Sequence, residues 1–158
     1  MQSQQTKLKS TESTLLPKNW AKSEDVYTGD DVIDAYLRGK EVGQNEHYRI
    51  LSKQLEENIN KAAELAENLF DEISKKDIHP IEIHLKAEDI TKYKALVIVT
   101  KDDFINDNFR QVYTISRKIK NESESDSFYI NFSFTPSSIH LNEQSLISDG
   151  FFMKYEKK

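Results

Sequence analysis

Apolar positions recur at helical spacing through one long stretch of the chain and at strand spacing through several short ones. From Asp30 to Lys76 the sequence is free of proline, and Leu51, Leu55, Ile59, Ala62, Ala66, Leu69 and Ile73 follow one another at steps of three or four. This spacing stays near the ~3.6-residue turn of a straight helix. It predicts either one very long helix or two helices joined at Gly39 and Gly43. A strict heptad would place Asn58 and Glu72 in the seam, so a long regular coiled coil is not expected. The apolar line is thin around Tyr48, Ile50, Leu51 and Leu55, then widens between Ile59 and Ile73 to include Ala63, Leu65 and Phe70. A broad stripe is what a helix lying on a sheet requires. Residues 28–55 are therefore expected to project or to pair with a partner, and residues 56–158 to form a compact domain.

Beyond the helix the period falls to two. Ile81, Ile83 and Leu85 alternate with Glu82, His84 and Lys86, which predicts a strand with one buried and one wet face. Ala95 to Thr100 is apolar on both faces and reads as a central strand, antiparallel to the first across a short connection. A second helix is expected from about Phe104 to Lys120, capped by Asp102 or Asp103. Phe128, Ile130, Phe132 and Phe134 then alternate with Tyr129, Asn131 and Ser133 in a third strand, parallel to the second because a helix intervenes. Ser148-Asp149-Gly150 marks a turn before Phe151 to Tyr155, a fourth strand or terminal hairpin. The expected class is α+β: a long N-terminal helix or helix pair packed on a small mixed β-sheet, in the order α-β-β-α-β plus a terminal strand or hairpin.

Ahead of the helix, residues 1–27 are rich in Gln, Ser, Thr and Lys and read as a disordered arm. Trp20 stands out there, either as an anchor for a partner or the parent domain or as an incidental contact. Thr28 and Asp31 have the spacing of a capping box, and Asp30, Asp31 and Asp34 put negative charge at the positive end of the helix. Ala35, Gly39 and Gly43 fall four apart on one ridge, which suits either close packing of a second helix or a break at Gly43. Over these three residues and the element order, the chain resembles the stalk-forming regulators of flagellar and type III export ATPases. Those regulators usually carry a longer glycine repeat, and the likeness assigns no family here.

Composition narrows function mainly by exclusion. The 158 residues carry a net charge of −5, which gives no basic excess for nucleic acid, and no cysteine for a disulfide, a thiolate metal site or a cysteine nucleophile. No stretch has the apolar length of a membrane span or a signal-peptide core, so membrane insertion is not expected and a cytoplasmic location is. Glycine-rich phosphate loops, nucleophile elbows and zinc-helix motifs are missing, and no cofactor is expected. Two constellations have chemical potential. Glu82 and His84 share a strand face, as two metal ligands, an acid/base pair or merely a solvated surface. Asp102 and Asp103 sit where a strand meets a helix, suited to a hard metal ion or to helix capping.

The expected function is a non-enzymatic protein–protein interaction or assembly module, homodimeric through the long helix, with Trp20, Ala35, Gly39, Gly43 and Tyr48 as its contact residues. The N-terminal arm would reach a further protein. The alternative is a small ligand-binding or metal-dependent enzyme domain that uses Glu82, His84, Asp102 and Asp103.

Overall fold

A row of alanines lets the long helix lie close to the sheet. In the computed structural model, which describes Pro17 and residues 19–22, 45–139 and 141–156, helix α1 spans Asn45–Ser74. Leu55, Ile59, Ala62, Ala66, Leu69 and Ile73 are all buried, and Ala63 and Phe70 widen the stripe as the sequence predicts. The helix stops before Pro80. Asp77 takes a left-handed φ of 59°, a conformation Asp tolerates better than most residues, and turns the chain toward the first long strand.

Among the described residues the sheet has five strands. They are β1 (Ala21–Lys22), β2 (Pro80–Ala87), β3 (Lys92–Val99), β4 (Tyr129–Pro136) and β5 (Met153–Glu156), in the spatial order β1-β5-β2-β3-β4. β2 and β3 are antiparallel, and β3 and β4 parallel, both as expected from the sequence. β5 is inserted between β1 and β2, antiparallel to each. The α+β class and the order α-β-β-α-β with a terminal strand are thus the observed architecture.

One sheet face carries Ile83, Leu85, Tyr93, Ala95, Val97, Val99, Ile130 and Met153 against α1 and the crossover helix. That crossover is more broken than the expected helix from Phe104 to Lys120. It comprises α2 (Lys101–Phe104), a 3-10 turn (Asp107–Phe109) and α3 (Arg110–Ser123). Neither Asp102 nor Asp103 caps it: Thr100 is the N-cap, its hydroxyl accepting from the Asp103 amide. The second interruption has the same origin, because Asn106 caps the 3-10 turn through the amide of Asn108.

The other face is not wet. Short helix α4 (Glu143–Ser148) and the turn after it cross this face, and Leu146 and Phe151 pack on Ile98, with Leu96 and Leu141 alongside. Two ends of the domain can be distinguished. Asn58, the polar residue that spoils a heptad, is buried in α1, and its side-chain amide donates to Ile90 O and Ser127 O at 3.0 Å each. It ties α1 to the turns before β3 and β4. Ahead of it Leu55 and Leu51 still pack on the core, whereas His47, Arg49 and Ile50 are exposed.

Candidate functional site

Register places the charged residues of the covered face together. His84 lies opposite Lys154, and Glu82 opposite Glu156. His84 is only 1% exposed, and its Nε2 lies 3.1 Å from Glu82 Oε1. This hydrogen bond holds the Glu82 carboxyl below its ordinary range, against the opposing effect of burial. Lys154 Nζ meets Glu143 Oε1 at 3.2 Å and Glu156 Oε1 at 3.5 Å. Burial works against the Lys154 ammonium, but Glu143, Glu156 and Glu82 together raise its pKa. The expected solvated set is thus a clasp in which Lys154 holds the first turn of α4 against the sheet. Asn142 orients that turn by accepting from the Ser145 amide at 2.8 Å.

Beside the clasp, a cleft of about 380 Å³ opens between β2, β3, β4 and α4. Leu96, Leu146 and Phe151 give it an apolar floor, and Lys86 and Lys94 bring two ammonium groups to it. Lys86 Nζ donates to Asp149 O at 3.1 Å and lies 5.3 Å from the Phe151 ring centroid. Neither Glu82 nor His84 lines this cleft.

The acidic pair at the end of β3 does not converge on one ligand. Asp103 accepts from the His79 amide at 2.7 Å and lies 2.9 Å from its Nδ1, while Asp102 is exposed. Burial pushes the Asp103 carboxyl up, and the bonds from His79 and Thr100 outweigh it, so its pKa is lowered. Among the described residues no group of three or more His, Cys, Asp or Glu side chains is placed to hold a metal ion.

The interaction residues fare differently. Trp20 lies in the core, 6% exposed, with its ring centroid 5.8 Å from that of Tyr155. Residues 20–22, inside the stretch expected to be a disordered arm, thus join the domain, and Trp20 anchors the chain to its own sheet. Ala35, Gly39 and Gly43 lie outside the described residues, as do the helix start at Thr28 and the side chain of Tyr48. Farther along α1, Ile50 is 56% exposed, and His47 and Arg49 are exposed beside it.

A second groove, of about 350 Å³, follows the outer side of β4, with Tyr113, Ser116, Arg117 and Lys120 of α3 on one wall and Asn131 and Phe132 on the other. From the sequence, Lys120 marks only the end of the expected second helix, and Arg117 carries no assigned role. Their spacing from Tyr113, at i+4 and i+7, carried the missed signal of a single stripe.

The class is an α+β domain on a mixed sheet of five strands among the described residues. No known protein family, curated protein or solved structure shows a significant match to this chain. No helix among the described residues is long and apolar enough to cross a membrane.

Proposed function

We propose that the chain is a non-enzymatic assembly module that self-associates through the N-terminal turns of α1. The observation supporting this reading is the exposure of His47, Arg49 and Ile50 on α1, ahead of its first core contact at Leu51. The residues from Asn45 to Ile50 extend for about 9 Å at the rise of an α-helix, and Ile50 among them is exposed. An exposed isoleucine on a helix is a natural contact for the same surface of a second copy, because a two-fold interface meets itself. Sedimentation and light scattering test the reading. The protein should form a dimer at tens of micromolar, and Ile50→Glu should shift it to monomer with its far-UV circular dichroism unchanged. A strictly monomeric parent protein would overturn it.

The sheet-face cleft supports a second reading, a ligand-binding domain. Two ammonium groups above an apolar floor, against the single carboxylate of Asp149, suit a small anionic amphiphile. Octanoate should then raise the melting temperature, and Lys94→Met should abolish the rise.

A further inference from the structure

The two edges of the sheet are finished differently. Among the described residues the sheet ends on one side in β1, only 2 residues long and fixed by Trp20. On the other it ends in β4, 8 residues long, and among the described residues no strand pairs with its outer side. A long open edge is a template for another strand unless something blunts it.

The direction of the free groups follows from the ladder. Tyr129 N donates to Thr91 O, and Ser137 N to Val99 O, so the odd-numbered amides of β4 face β3. The amides and carbonyls of Ile130, Phe132 and Phe134 therefore point away from the sheet. Pro136, the next in that series, has no amide to offer and closes the row.

The wall above this row is basic. Arg117 and Lys120 line the groove, no acidic side chain among the described residues lines it, and no described carboxylate pairs with either cation. Lys120 Nζ rests 4.8 Å from the Tyr129 ring centroid, at the beginning of the edge. Tyr113, partly exposed, stands edge-on to Phe134 with centroids 5.4 Å apart, farther along it. At a strand edge flanked by a helix wall, main-chain bonds supply affinity and the wall supplies selection.

We infer that the β4 edge receives an extended acidic segment of a partner protein as a sixth strand, read by Arg117 and Lys120. The partner lies on the side of the domain remote from β1, and this inference does not depend on self-association through α1. The groove's two cations and lack of carboxylates select a negative peptide, although the chain as a whole is acidic at −5.

The probe is a short fluorescein-labelled peptide of alternating glutamate and valine, with a lysine–valine peptide as control, followed by fluorescence anisotropy and by amide exchange measured with NMR. The acidic peptide should bind, and protection should rise at the amides of Ile130, Phe132 and Phe134. Binding should weaken by about tenfold or more in the double variant Arg117→Glu with Lys120→Glu, which should also gain affinity for the lysine peptide. Both substitutions lie on the outer side of α3, and an unchanged melting temperature shows that the fold is intact. Failure of the acidic peptide to bind at millimolar concentration overturns the inference. So does protection elsewhere than these three amides, or equal affinity of the double variant. Protection of the three amides without peptide, lost on dilution, assigns the edge to a second copy of the chain and overturns it as well.

Discussion

Replacing Asn58 tests how α1 is fixed to the sheet. Its Nδ2 makes two bonds of 3.0 Å, to Ile90 O and Ser127 O, from a site 9% exposed. Each neutral hydrogen bond contributes about 1 kcal/mol net, so Asn58→Ala should cost about 2 kcal/mol. The cost is not greater because Ile90 O keeps its bond from the Tyr93 hydroxyl and Ser127 is exposed to water. Asn58→Asp keeps the shape but turns a carboxylate toward two carbonyl oxygens, and should cost about 3 kcal/mol or more near neutral pH. Protonation relieves that repulsion, and because burial beside two carbonyls raises the folded-state pKa, the gap between the two variants should narrow as pH falls toward the unfolded value of about 4 and be closed below it. Urea unfolding followed by far-UV circular dichroism and by fluorescence gives the numbers, with Trp20, the chain's single tryptophan, reporting from the core. Asn58→Leu separates the anchor from a coiled-coil seam. A seam asparagine replaced by leucine would tighten an oligomer, whereas an anchor replaced by leucine loses stability. A loss below about 0.5 kcal/mol for Asn58→Ala, within the range of an ordinary surface change, would refute the anchoring role.

Acid and alkaline limits follow from the clasp and from the His79 contact. The lowered pKa values of Glu82 and Asp103 give stability that is present above their unfolded values and lost as pH falls through the folded ones, and the raised Lys154 gives stability lost only as pH rises through its folded value. Melting temperatures should therefore decline below about pH 4 and again above about pH 10.5, and Glu82→Gln should flatten the acid limb. Trp20→Ala should cost about 3 kcal/mol and expose β5, read as faster amide exchange at Tyr155. Gly150 has a φ of 102°. An added Cβ there meets only Lys86 Cδ at 3.6 Å, so Gly150→Ala should cost about 1 kcal/mol through backbone strain, measurable by chemical unfolding.

The buried stripe of α1 and the alternation in β2 and β4 were readable because each depends on local period. Long-range arrangement was not. The alternation of Glu82, His84 and Lys86 with apolar neighbours fixes which residues share a face, yet nothing local says that α4 returns to cover it. Leu146 and Phe151, separated by a turn, do so only because the chain folds back. Thr100 displaced the two aspartates as the cap because it comes first after β3 and its hydroxyl reaches the Asp103 amide. Asp103 was then free to bind His79, a partner 24 positions earlier. Asn58 appeared as a flaw in a heptad, since its two acceptors lie 32 and 69 residues away. The β4 edge was invisible for the same reason: whether a strand is central or terminal depends on which strands come to pair with it.

The position of β5 also sets an order of events. Ala21 pairs with Lys154, and β5 in turn pairs with β2, so residues near opposite ends of this sequence meet across one four-residue strand. While the chain is being made, α1, β2 and β3 can dock as soon as they emerge, because their contacts are local. Trp20 must wait for Tyr155. Until then β2 is itself an open edge, and the nascent domain offers two strand templates instead of one. β5 therefore acts as the stopper on aggregation, and a chain interrupted before Met153 would leave both sides of its sheet unsealed.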